Sequence, residues 1–126
     1  MALRLERLLL RGYSVVFGCA AVYHLVCAES GDRSAGSSPQ RHAAFVLINL
    51  GLAIGMLKRP RGFVLVFGLL CLQQLVSHGG DLWRTFQEHG QLDWLSALVI
   101  LALPLAWLLL LRVQRAEDRA VSSEQP

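Results

Sequence analysis

Four histidines, His24, His42, His78 and His89, are the residues of this chain best suited to chemistry. A neutral imidazole ligates zinc, copper or iron and exchanges protons near neutral pH. Cys27 follows His24 by three residues, Asn49 follows His42 by seven, and Gln74 precedes His78 by four, with Cys71 three further back. On a helix these intervals are one or two turns, so each set shares a stripe. Gln73 stands beside Gln74 as the alternative amide on that stripe.

The candidate ligand-binding set is therefore His24, His42, Asn49, Gln73, Gln74 and His78, with His24, His42 and His78 as the residues that would hold a metal or a haem. Two other readings stay open. An organic ligand such as a quinone or a lipid headgroup would suit the same polar lining. Alternatively, His24 and His78 bond loop carbonyls or headgroups while Asn49 and Gln74 tie helices together. No HxxxH, HExxH or Glu-x-x-His pattern is present, and every acidic residue lies in a flank or loop, Asp93 standing at the very start of the fourth apolar stretch. The chemistry thus rests on convergence of separate elements.

Those elements are legible in the distribution of charge. Hydrophobic residues make up 54% of the 126 positions and charged residues 17%, with a mean hydropathy of +0.46, well above an ordinary soluble domain. Four apolar stretches, 8–28, 40–57, 62–78 and 93–111, each approach the length of about 20 residues that a spanning helix needs. They predict an all-α integral membrane protein, a four-transmembrane-helix antiparallel bundle.

Between the spans lie a basic leader (1–7), a Ser- and Gly-rich outer loop (29–39), a basic turn (58–61), an outer amphipathic loop or short interfacial helix (79–92) and a polar tail (112–126). Gly79-Gly80 predicts the end of the third helix, Asp93 the N-cap of the fourth, and Pro104 a kink within it. The tail is expected to be disordered beyond the end of the last helix. The first apolar run extends well past Cys19 with no small-x-small cleavage site, which favours an uncleaved helix over a signal peptide.

Orientation follows from counting. Arg4, Arg7, Arg11, Lys58, Arg59, Arg61, Arg112, Arg115 and Arg119 occupy the leader, the basic turn and the tail, nine of the 12 basic residues. The positive-inside rule then places both termini in the cytoplasm, in the cell membrane. All four histidines fall on the outer side. Tyr23, Trp83 and Trp94 lie there too, as interfacial anchors.

The pairs Ser14/Gly18 and Gly51/Gly55 predict close helix approach, within the chain or in a homo-oligomer. Cys19, Cys27 and Cys71 have no CxxC spacing, and Cys19 and Cys71 read as small packing residues.

Several functions are disfavoured. A net charge of +3 is split among membrane-flanking patches, so nucleic acid is not a partner. A proton-coupled drug exporter needs an intramembrane carboxylate, and a mercury carrier needs paired thiols; neither is present. No nucleophile stands at a recognisable spacing from a base, so the reading leans away from an enzyme. The expectation is a small multi-pass protein with an outward-facing, His-lined pocket that binds a ligand, or an accessory subunit of a membrane complex. The alternative is a metal- or haem-binding redox protein or a small membrane enzyme.

Overall fold

The computed structural model describes residues 2–30, 39–60 and 62–123. They form four helices: α1 (Ala2–Ser30), α2 (Pro39–Lys58), α3 (Phe63–His89) and α4 (Trp94–Ser123), with no strand among the described residues. Each is long and apolar enough to cross a membrane. At 1.5 Å per residue α2 is about 30 Å long, the thickness of a bilayer's hydrocarbon core, whereas α1, α3 and α4 reach about 40–45 Å.

Burial is sparse for so apolar a chain. Only 22–33% of each helix's most apolar window is buried, and side chains such as Leu47, Leu65, Val76 and Leu101 are at least 70% exposed. Exposed apolar surface of that extent is what helices long enough to span a membrane present to lipid.

The chain divides into two compact units, Met1–Pro60 and Arg61–Pro126. In the first, α1 and α2 pack as a helical hairpin. Glu6, Leu10, Ser14, Phe17 and Ala21 are buried at intervals of three and four, the stripe a helix presents to one neighbour. Leu52, Ala53 and Met56 of α2 are buried in turn. Ser14 Oγ donates to the Ala53 carbonyl at 2.8 Å, which satisfies the hydroxyl and brings the backbones close.

Of the two predicted small-residue pairs, Ser14 and Gly55 are buried, whereas Gly18 and Gly51 have open space around them. Cys19 is exposed rather than packed, because it falls two residues past Phe17 and off the buried stripe. The helix closes at Arg59, whose positive φ of 47° lets its N–H reach the Gly55 carbonyl at 2.7 Å, just before Pro60. Most of the predicted outer loop, residues 31–38, lies outside the described residues, as does Arg61 of the basic turn.

In the second unit α3 starts after Gly62 and runs through Gly79-Gly80 to His89. The predicted stop at residue 78 is thus corrected. Glycine permits the left-handed conformation without compelling it, and neither Gly79 nor Gly80 has positive φ. The apolar period continues through Leu82 and Phe86, and Asp81 and Arg84 pair across one turn at 2.8 Å. The left-handed cap comes at Gly90, φ 63°, whose N–H bonds the Phe86 carbonyl at 2.9 Å.

The helix α4 likewise continues beyond residue 111, to Ser123. Residues 112–120 are polar but mostly good helix formers, and Val113 remains fully buried. Pro104 sits within an unbroken helix. The remainder of the tail, 124–126, lies outside the described residues.

Phe67 and Cys71 of α3 are buried, as are Leu103, Ala106, Leu110 and Val113 of α4. Trp107 crosses between the two helices: its indole N–H donates to the Val64 carbonyl at 3.1 Å, and its ring lies over Gly68.

Candidate functional site

The six candidate residues divide between the units. His24, His42 and Asn49 belong to the first and Gln73, Gln74 and His78 to the second.

In the first unit the hairpin brings His24 near the end of α1 against His42 near the start of α2. Their Nδ1 atoms are 3.0 Å apart, a hydrogen-bonding distance at which one nitrogen carries the proton and the other accepts it. Phe45, one turn beyond His42, stacks on the His24 ring at 5.0 Å and 20°. Tyr23 meets that ring edge-on at 5.3 Å. The Arg41 guanidinium lies 5.8 Å from the Phe45 centroid, within cation–π range.

His42 is the buried member, only 4% exposed, and its Nε2 is shut off from solvent with no hydrogen-bond partner. Whichever tautomer it adopts, a polar nitrogen stays unsatisfied. A buried group of that kind costs about 1–3 kcal/mol. Asn49 shares the His42 stripe as expected, but its amide donates to the Phe45 carbonyl of its own helix at 2.8 Å. Its amide N–H is thereby satisfied within α2.

In the second unit His78 of α3 meets Ser96 of α4, Nδ1 to Oγ at 3.0 Å. Ser96 is buried at 2% exposure, and its hydroxyl donates to Asp93 Oδ2 at 2.6 Å. That donation uses the hydroxyl proton, so the Ser96 oxygen must accept from His78 Nδ1–H.

Asp93 is the predicted N-cap: its Oδ1 accepts from the Leu95 and Ser96 N–H groups at 3.1 and 3.2 Å. Hydrogen bonds from the Ser96 hydroxyl and backbone hold the Asp93 carboxyl below its ordinary value, against an opposing effect of desolvation. Gln74 Nε2 donates to Gln73 Oε1 at 2.8 Å, so these amides serve each other on an exposed face of α3.

Among the described residues no three His, Cys, Asp or Glu side chains come together as a metal site. His24 and His42 form a pair, while His78 is engaged by Ser96. Phe45 and Ser96 take part in these contacts although neither belongs to the six candidates. Each carried a signal: Phe45 stands three after His42 and four before Asn49, and Ser96 stands three after a predicted N-cap.

Fold and site together define an all-helical protein with four candidate membrane spans and two histidine-centred polar clusters, one in each unit. No family model, curated protein or solved structure matches the chain.

Proposed function

We propose that this is a multi-pass protein of the cell membrane whose four helices cross the bilayer as an antiparallel bundle, with both termini cytoplasmic, and that its outer face binds a small polar ligand at the His24–His42 pair. The charge asymmetry of nine basic residues against three supports the orientation. The two hairpins fit a chain that returns across the bilayer after each span.

One observation carries the binding reading: the buried His42 Nε2 without a partner. A ligand supplying a donor or acceptor there recovers the cost of the orphaned nitrogen, while Phe45, Tyr23 and Arg41 provide aromatic and cationic surroundings. The ligand acts either by itself or as the chemical group through which a larger membrane complex engages this chain as an accessory subunit. A metal- or haem-carrying role draws less support, since the histidines that meet number two.

Native mass spectrometry of protein extracted in mild detergent tests the reading. The expected result is a non-covalent adduct carried by the wild type and lost in His42→Phe at unchanged expression. An adduct-free wild type, or an adduct indifferent to the substitution, overturns it. Metal content and a visible spectrum recorded on the same sample decide the alternative, which predicts stoichiometric metal or a Soret band. Reporter tags on opposite sides of the membrane for the two termini would overturn the orientation.

A further inference from the structure

A cavity of about 280 Å³ lies in the second unit, between the start of α3 and residues 111–118 of α4. Its walls are of two kinds. Val64, Leu65 and Leu111 are apolar, and Gln114, Arg115 and Asp118 are polar. On α4 the polar three follow Leu111 at intervals of three, four and seven, so they form one stripe that passes from apolar to charged along the helix. The change occurs where the apolar run of α4 ends, at Leu111-Arg112, and where α3 begins after the basic turn.

The polar groups are complementary to a zwitterion. Among the described residues neither Arg115 nor Asp118 has an ion-pair partner, although they stand three apart on one helix. Gln114, which lines the cavity, has its Oε1 closed off from solvent with no donor. A guanidinium offers a fork of donors for a phosphate. The Asp118 carboxylate and the Gln114 oxygen are acceptors, which suit an ammonium that carries N–H groups. A quaternary ammonium has none to give.

We infer that this cavity is a site for the headgroup of a phosphatidylethanolamine, with the phosphate on Arg115, the primary ammonium on Asp118 and Gln114, and the start of the acyl chains along Val64, Leu65 and Leu111. The volume lies just under the usual range for small-ligand pockets, which suits a headgroup rather than a whole lipid. The inference rests on the membrane-spanning reading, under which this end of α3 and α4 lies at the cytoplasmic boundary of the bilayer.

The test uses the full chain, delipidated in detergent and titrated with phosphatidylethanolamine, with phosphatidylcholine and with free phosphoethanolamine, with bound lipid read by native mass spectrometry. Phosphatidylethanolamine should be preferred over phosphatidylcholine by about tenfold or more, the worth of one hydrogen bond to a charged group. Gln114→Leu and Asp118→Asn should erase the preference, while Gln114→Glu, which keeps an acceptor, should retain it. That contrast separates loss of the site from loss of the fold.

Equal binding of the two lipids overturns the inference, as does a preference untouched by Gln114→Leu. Free phosphoethanolamine binding as tightly as the lipid would overturn the role of the apolar walls and with it the lipid. Alkaline carbonate extraction of membranes keeps the two readings apart. A chain that stays in the pellet yet fails to discriminate loses only the lipid site, whereas a chain released to the supernatant loses its membrane-spanning reading first.

Discussion

Replacing Gly68 by alanine tests whether α3 and α4 pack as described, because the Trp107 ring occupies the space its missing side chain leaves. A Cβ built there would lie 2.9 Å from both Cε2 and Nε1 of Trp107 and 3.1 Å from Cζ2. Carbon atoms in contact prefer about 3.5–4.0 Å, so the indole must retreat by roughly half to one ångström. Overpacking of this kind costs about 1–3 kcal/mol. The retreat also weakens the Trp107 N–H bond to the Val64 carbonyl, a loss of about 0.5–1.5 kcal/mol. Alanine's better helix propensity returns up to about 1 kcal/mol. The expected net is a destabilisation of about 2 kcal/mol, roughly 30-fold in the unfolding equilibrium.

Denaturant titration in detergent micelles, followed by near-UV circular dichroism, measures this effect. The control is Gly51→Ala, where a Cβ meets nothing within 4 Å and the change should be neutral or slightly stabilising. In a Trp107→Phe background the Gly68→Ala penalty should shrink, because the smaller ring vacates the overlap. Equal tolerance of alanine at Gly68 and Gly51, or a penalty indifferent to residue 107, would refute the reasoning.

Two further substitutions address the hydrogen bonds that join helices. Ser14→Ala removes the bond to the Ala53 carbonyl and should cost about 0.6 kcal/mol, the typical worth of such a bond between helices in lipid, measured by the same titration. Ser96→Ala leaves the half-buried His78 Nδ1 without its partner and should cost about 1 kcal/mol. It also releases Asp93, whose depressed carboxyl stabilises the start of α4 at pH above its ordinary value of 3.8 and loses that contribution as the pH falls through its lower folded value. The Asp93 titration midpoint, followed by carboxyl NMR, should therefore rise toward 3.8 in Ser96→Ala; an unmoved midpoint contradicts the assigned cause.

The number and positions of the apolar helices were legible because composition and period are local properties. Residues 40–57 predicted α2 to within a residue at each end, and Asp93 predicted the cap of α4. What the pattern could not show was where helices end once the apolar run stops. Hydropathy reports the solvent, whereas helix continuation depends on propensity and caps. Hence α3 crosses Gly79-Gly80 and α4 extends to Ser123.

Within the site, spacing placed His42 and Asn49 on one stripe but could not say that Asn49 would bond back to the Phe45 carbonyl. Helical side chains of that length reach the carbonyl of the preceding turn as easily as a neighbouring helix. Gly68 went unremarked for a related reason. A lone glycine becomes a contact only when a partner such as Trp107, 39 positions away in sequence, is known to lie over it.

His42 and His78 should respond oppositely to the same substitution, and that contrast separates structural from functional polarity in this chain. His78 is fully engaged at Nδ1 in a chain through Ser96 to Asp93 that links α3 to the cap of α4. His78→Phe should therefore destabilise, since it strands the Ser96 oxygen. His42 holds a buried nitrogen that nothing satisfies, so His42→Phe removes a standing cost of about 1–3 kcal/mol while fitting an apolar ring beside Phe45. It also deprives His24 of a partner, but His24 is only half-buried and water can replace that bond. The expected pattern is a His42→Phe protein at least as stable as wild type that has lost its ligand, beside a less stable His78→Phe protein that retains it. A group kept at a cost to the fold is explained by what it binds. If His42→Phe instead proved the more damaging of the two, the imidazole pair would be a structural tie and the binding reading would lose its main support.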